Sequence, residues 1–464
     1  MAIMRPFFWL FLCGVLVSSG MPGMLLAQKQ QEAHSQASSK RIFIEQIIVL
    51  GNKKTRASVI LREMKSKAGQ QTTVEQLELD RRRIESLGLF NRVEMHLQPK
   101  ENGYRLIITV SEQWYLFPFP IIFFNDRDIS LKKLSYGLGV IHTNFRGRAE
   151  LLQFAGWLGY NPTASVMYNN PWIFGRRQFF TRLQFLIANQ VNKTYDIIDQ
   201  RVNEKRLGGS WTFGKRLTLH TSVSLSLFYQ QVRLKPAVDG QTLNPSGLDR
   251  IVRFGFSYVR DHRDLVWYPT RGSYVQVDYL KSGMPGAKYI DYGQVTLDAR
   301  TYIPLGRETA LAFRFAADVT HGRIPIYDRL FFGYRYRIRG HFKLRVEGEH
   351  RMLASVGLRF PLVPVRYFNM DMGKMSAYGQ NLRFGISGEI FADAGTLWFQ
   401  QRTERTGPPP TSGPFGLQTR PETWLTGIGV GLNFHLPYVN IMRLEFAMNE
   451  RRQTELIVDI GVAF

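Results

Sequence analysis

Gln453–Phe464 reads QTELIVDIGVAF, and this stretch decides the fold class. Leu456, Val458, Ile460, Val462 and Phe464 are apolar. Ile457, Asp459, Gly461 and Ala463 lie between them, and Glu455 comes just before. Successive side chains of a strand point to opposite faces, so one face here is greasy and the other mostly polar or small. A strand that offers one face to lipid and ends the chain on an aromatic residue reads as the last strand of an outer-membrane β-barrel. The pattern recurs upstream. In 311–320, Leu311, Phe313, Phe315, Ala317 and Val319 alternate with Ala312, Arg314, Ala316, Asp318 and Thr320. In 428–436, Ile428, Val430, Leu432, Phe434 and Leu436 alternate with Gly429, Gly431, Asn433 and His435. A strand of a soluble sandwich alternates too, so the repetition carries the reading rather than any one strand.

Composition agrees with that class. Mean hydropathy is −0.19, yet 13% of residues are aromatic. Only every second residue of a barrel strand meets lipid, and aromatic girdles mark the two interfaces. After the amino-terminal segment, no run approaches the ~18 apolar residues of a transmembrane helix. That segment reads as a signal peptide, 1–27. Arg5 is its basic region, Phe7 to Val17 its apolar core, and Leu25-Leu26-Ala27 precedes the expected cut. Cys13, the only cysteine, falls inside it behind Leu12, which is too large for a lipoprotein box. The mature chain is therefore expected to form no disulfide and no thiolate metal site. A net charge of +23 would suggest nucleic acid in a cytoplasmic protein, but export argues against that partner. Anionic lipid of the outer membrane, an acidic or partly folded polypeptide, or a basic surface with no specific ligand fits the charge better.

Residues 28–40 are mostly Gln, Ser, Ala and Lys, a mobile leader. Residues 41–112 read as a small soluble unit in the order β-α-α-β-β. Phe43 to Leu50 is a strand closed by Gly51-Asn52, and Arg56 to Lys67 is a helix stopped by Gly69. Thr73 caps a second helix with Gln76 three residues on, and this helix stops at Gly88. A hairpin, 92–98 and 105–110, turns at Asn102-Gly103. Residues 113–464 hold sixteen strand candidates, with starts near 114, 133, 148, 162, 178, 205, 217, 249, 272, 290, 309, 351, 382, 423, 440 and 453. Short and long links alternate, as they do between the periplasmic and outer ends of bacterial barrels. An even strand number puts the soluble unit in the periplasm.

Several local patterns follow one another along this framework. Gly51-Asn52, Gly88-Leu89-Phe90 and Val110-Ser111-Glu112 punctuate the soluble unit. Asp261-His262-Arg263-Asp264 precedes Tyr268-Pro269-Thr270-Arg271-Gly272; Phe332-Gly333 precedes Ile338-Arg339-Gly340-His341; and Phe391-Ala392-Asp393-Ala394-Gly395 comes last. In this order they resemble the BamA/TamA superfamily of outer-membrane assembly and translocation proteins, with 41–112 similar to a single POTRA domain. The resemblance implies that the loop around Arg339-Gly340 folds back into the barrel and that its arginine meets acids on the wall. Strand parity puts Glu389 and Asp393 on one face, about 13 Å apart along the strand. Arg339 is expected to pair with Asp393, and Gly340 to permit the tight tip. Gly357 stands four residues ahead of Pro361, the proline expected to end the twelfth strand, where the family tends to carry a glutamate. Glu389 is therefore expected to be the second nearest carboxylate.

Asp261, Arg263, Asp264, Pro269, Arg271 and Gly272 look catalytic at first sight, with His262 between acids. They read instead as a hydrogen-bonded periplasmic turn. No activated nucleophile, H-E-x-x-H spacing or nucleotide site is evident, so neither an enzyme nor a cofactor or metal is expected. Pro118 and Pro120 in the first strand lack N–H groups on one edge. If that edge faces the last strand, which Phe464 closes, they mark a weak lateral seam; the alternative is that they end a short first strand near the periplasmic rim. The resemblance implies an assembly factor that inserts barrel proteins by strand pairing and lateral opening. Its partners would be unfolded barrel clients, with periplasmic accessory proteins or chaperones as further candidates. A translocator of one dedicated polypeptide, of the two-partner-secretion type, and a passive channel are the alternatives.

Overall fold

The computed structural model describes residues 41–124, 131–175, 178–191, 202–236, 242–283, 289–306, 308–332, 336–341, 346–371, 373, 378–399, 424–438 and 440–461. The signal peptide, the leader, Gly333, Val462 and Phe464 lie outside the described residues. Two compact units emerge. One comprises the described residues up to Ile48 with Lys65–Asp80 and Met95–Ile108; the other comprises Val49–Met64, Arg81–Glu94 and Thr109–Phe464.

The soluble segment runs β1 (Ile42–Leu50), α1 (Ala57–Leu61), β2 (Gln70–Thr72), α2 (Val74–Ser86), β3 (Phe90–Lys100) and β4 (Gly103–Glu112). Its sheet has the order β2-β1-β4-β3, which leaves β3 on an edge. Three features depart from the sequence reading. The strand β2 is short and polar, Gln-Gln-Thr, and has no alternation to betray it; it pairs Thr72 with Ile42. Helix α1 stops at Leu61 rather than Lys67. The backbone N–H groups of Lys65 and Ser66 donate to the buried Asp80 carboxylate at 3.0 and 2.9 Å, which draws them away from a helical ladder. Thr73 Oγ1 caps α2 by accepting from the Gln76 N–H, but the Gln76 side chain turns to Asp80 instead of back to the cap.

The second unit is dominated by sixteen antiparallel strands. They are β5 (Leu116–Phe124), β6 (Leu134–Phe145), β7 (Glu150–Gly159), β8 (Thr163–Ile173), β9 (Phe179–Val191), β10 (Asn203–Arg216), β11 (Thr221–Lys235), β12 (Leu248–Asp261), β13 (Gly272–Ser282), β14 (Tyr292–Pro304) and β15 (Ala310–Gly322). After a two-stranded ribbon, β16 (Leu330–Phe331) and β17 (Glu347–Gly348), come β18 (His350–Phe368), β19 (Leu382–Trp398), β20 (Leu425–Leu436), β21 (Asn440–Asn449) and β22 (Thr454–Ile460). The sheet runs in sequence order from β5 to β22 with the ribbon set aside. Parity sorts the two faces. On β22, Val458 is 68% exposed and Ile457 4%. On β15, Arg314 and Asp318 are buried while Val319 is exposed. The apolar set therefore faces lipid, where only internal pairing can satisfy the backbone.

Pro361 does not end its strand. β18 continues to Phe368 through register shifts between Pro361 and Val363 and between Val363 and Arg366. A bulge absorbs the missing proline N–H and lets the ladder resume.

Candidate functional site

The connection between β15 and β18 folds against the inner face of the barrel. Its Phe332, Tyr336, Ile338 and Val346 form one buried cluster with Ala316, Leu353, Leu397 and Leu425 of the wall. The wall is shaped to receive it. A Cβ at Gly427 would lie 1.8 Å from the Arg339 carbonyl oxygen, so the loop backbone rests directly on the β20 backbone. Gly340 has φ +93°, a conformation that L side chains rarely adopt, and its N–H donates to Glu455 Oε2 at 2.9 Å. Asn449 Nδ2 donates to the Gly340 carbonyl at 3.0 Å.

This tip carries Arg339, which is 3% exposed. Its Nε and Nη2 donate to the two oxygens of Asp393 at 2.7 and 2.8 Å, a bidentate fork. The Arg339 backbone N–H adds a third bond to Asp393 at 3.1 Å. Nη1 donates to Glu445 Oε1 at 2.8 Å, and the guanidinium lies 3.4 Å from the centroid of the Phe391 ring. Glu389 is at 3.6 Å, beyond hydrogen-bond distance, so Glu445 and not Glu389 is the second nearest carboxylate. Register explains the substitution. Glu389 and Glu445 both pair across Gly431, on either side of it. Glu389 is opposite Arg359, which lies 3.5 Å away and competes for it. Arg443 binds both Glu445 oxygens at 2.9 Å and reaches Asp459 of β22 at 3.0 Å. Acids and arginines thus alternate around the buried loop tip. Sequence reasoning missed Glu445 because β21 carries no motif. The only available signal was parity, since Arg443 and Glu445 alternate with Met442, Leu444 and Phe446.

The loop also reaches the final strand. Besides the Gly340–Glu455 bond, Arg337 lies 3.8 Å from Asp459. His341 Nε2 sits 2.8 Å from Glu450 Oε2 and 2.9 Å from the Thr426 carbonyl. Glu450 is in the link after β21. Burial raises its pKa, but backbone N–H groups and His341 outweigh burial and hold the carboxyl below its ordinary value.

The two ends of the sheet differ from its middle. Thr143 N–H donates to the Tyr115 carbonyl at 2.9 Å, and the pairing continues from Leu116↔His142 to Phe124↔Leu134. Residues 115, 117, 119 and 121 therefore take the hydrogen-bonded positions facing β6. Pro118 and Pro120 take the positions between, so their nitrogens face away from β6, toward the free end of the sheet. Among the described residues no ladder joins β5 to β22.

The segment 261–272 is a closed turn. Arg263 forks onto Asp261 at 2.9 and 2.7 Å. Asp264 accepts from Thr270 N–H, Thr270 Oγ1 and Arg271 N–H at 3.0, 2.7 and 3.1 Å. Pro269 is enclosed within it, and Gly272 takes φ +106°, where a Cβ would meet the His262 carbonyl oxygen at 2.1 Å. Every acid in the turn is engaged in holding its shape. Among the described residues no group of three or more His, Cys, Asp or Glu is placed to hold a metal ion, and no helix is long and apolar enough to cross a membrane.

The chain is similar to known proteins. Residues 144–462 match the Omp85 superfamily domain, and 42–113 match the POTRA model described as a surface antigen variable number repeat. Among solved structures, BamA from Haemophilus ducreyi lacking POTRA domains 1–3 is 20% identical, with TM-score 0.52 over 90% of this chain and 83% of that one. CdiB from Acinetobacter baumannii is 14% identical with TM-score 0.51, and CdiB from Escherichia coli 12% identical with TM-score 0.54; each covers 90% of this chain and 74% of its own. Members of the superfamily are non-enzymatic barrels of the outer membrane that act on client barrel or secreted polypeptides, with POTRA domains in the periplasm. By the match over most of its length, the chain belongs to the Omp85 superfamily and carries a single POTRA domain ahead of a sixteen-stranded barrel.

Proposed function

We propose that this protein assists the insertion of β-barrel proteins into the outer membrane by pairing client strands with the free edge of its own sheet. The observation that carries the reading is the edge of β5. Two of its backbone positions have no donor, and no ladder closes it among the described residues. An edge in lipid has no water to satisfy its carbonyls, so an incoming strand is its natural partner. The POTRA domain faces the periplasm, where β3 offers a second free edge to an unfolded client or an accessory chaperone. Arg339, Gly340, Asp393, Glu389 and Glu445 act as the lock that holds the loop in the lumen. Because the loop also bonds Glu455 of β22, releasing it loosens one side of the seam. Folding and burial of the client supply the drive.

Depletion followed by a quantitative census of outer-membrane barrels tests the reading. Broad loss of barrels is the expected result. Loss of one secreted polypeptide with the barrels intact would overturn it in favour of a dedicated translocator.

A further inference from the structure

The outer wall of β10, β11 and β12 carries cations that lack counter-ions among the described residues. Lys205, Arg233, Lys235 and Arg250 are exposed and share the lipid-facing parity of Leu207, Trp211, Leu227 and Phe254. Lys205 is directly opposite Arg233 in the ladder, and Arg250 is one diagonal step away, opposite Gln231. Like charges directly opposite destabilise a strand pair. No side-chain hydrogen bond or ion pair joins any of the four to a described residue. Lys281, a wall cation of the next strand, does have such a partner in Asp291.

Their depth is informative. Lys205 and Lys215 bracket Leu207, Gly209, Trp211 and Phe213 on β10, and Arg250 and Arg260 bracket an equal span on β12. Ten residues at about 3.4 Å, tilted by about 40°, rise roughly 26 Å, close to the ~25 Å apolar band of such barrels. The cations Lys205 and Arg250 therefore stand at one headgroup level. β10 and β12 both end at the side where β5 begins, so this level is the one away from the POTRA attachment.

Beside the cations the wall is dented. Gly156 and Ala164 are cross-strand partners, and Ala164 in turn faces Ile187. A groove of about 590 Å³ runs from Trp157 and Leu158 past Ala164 to Lys205 and Arg233. A second, of about 390 Å³, shares Ala164 and Ile187 and continues over Phe154 and Val166. We infer that this wall holds a phosphorylated lipid of the outer leaflet, its phosphates on Lys205, Arg233 and Arg250 and its acyl chains in the groove at Gly156 and Ala164. A zwitterionic headgroup brings a cation of its own and would leave the opposed Lys205 and Arg233 uncompensated.

The test uses the full chain in phosphatidylcholine vesicles doped with bis-phosphorylated lipid A, extracted into detergent, with retained lipid counted by native mass spectrometry. The triple variant Lys205→Gln, Arg233→Gln, Arg250→Gln should lose retention about a hundredfold, roughly a factor of five per cation. Lys215→Gln with Arg260→Gln, at the other headgroup level, should leave it unchanged. Ala164→Phe, which fills the groove and alters no charge, should lower retention on its own and keeps the idea testable if the triple variant misfolds. Dephosphorylated lipid A should not be retained, and inorganic phosphate should fail to displace the bound lipid. Undiminished retention in either the triple variant or Ala164→Phe, equal loss at the opposite level, or displacement by inorganic phosphate would overturn the inference.

Discussion

The middle of the barrel sheet and its two ends are built on different terms. β18 and β19 are 19 and 17 residues long and pair from His350↔Trp398 to Phe368↔Leu382. β5 and β22 have 9 and 7 residues. The inner face near β19 and β21 is crossed by Arg339, Arg359, Arg443, Asp393 and Glu445, while β5 (LFPFPIIFF) has no charged residue at all. Side-chain and backbone bonding are thus concentrated where the loop docks and are sparse at the seam. The last strand is an intermediate case. Its seam edge lacks a described ladder, yet Glu455 and Asp459 tie its inner face to the loop and to Arg443. One end of the sheet is therefore held by side chains.

Breaking the loop lock should give the largest change. Arg339→Ala leaves Asp393 buried and unpaired, while Glu445 keeps Arg443, and the loss costs roughly 3–5 kcal/mol. Heat-dependent electrophoretic mobility should show the barrel unfolding at lower temperature, and Arg339→Lys should fall between, because a point charge cannot fork. Equal stability of all three proteins would remove the lock from the account. Next comes the seat under the loop. Gly427→Ala forces the Arg339 carbonyl away from β20, and overpacking of this kind costs roughly 1–3 kcal/mol. Limited proteolysis should cut the 323–349 connection faster in this variant. Gly340→Ala should cost about 1–2 kcal/mol from the left-handed backbone alone.

The two glutamates sharpen the comparison further. Glu445→Gln removes a charged hydrogen bond from Arg339 and should cost about 1.5–3 kcal/mol. Glu389→Gln should weaken Arg339 less, since its contact there is 3.6 Å, and a larger loss for Glu389→Gln would reverse the ranking. The smallest effect is the link at Glu450. Its folded pKa is depressed, so the stabilisation is present above the unfolded value of about 4.3 and fades as pH falls through the lower folded value. Glu450→Gln should lower the melting temperature slightly near neutrality and flatten that acid limb in a melting series, so that the two proteins converge at low pH.

Much of this contrast was legible in the sequence because a barrel strand writes its environment into every second residue. The alternation at 311–320 and 454–460 located both the strands and their faces, and parity alone put Asp393 inside. Three things escaped. β2 is three polar residues, too short for any period to register. The halt of α1 depends on Asp80, a residue distant in sequence whose carboxylate captures two N–H groups. Glu445 became a partner of Arg339 through register across Gly431, a relation between strands that no single stretch of chain encodes.

The central claim is that client strands enter at the seam between β5 and β22. Cys13 is the only cysteine of the sequence, so in a Cys13→Ser background an engineered pair can be placed without interference. Cysteines scanned across 116–124 and 454–460 should include pairs that form a disulfide in the folded barrel. The account predicts that purified, oxidised protein in vesicles fails to speed the insertion of an unfolded barrel client, and that reductant restores the rate while barrel mobility stays unchanged throughout. Full activity of the oxidised, cross-linked protein would contradict lateral entry at this seam.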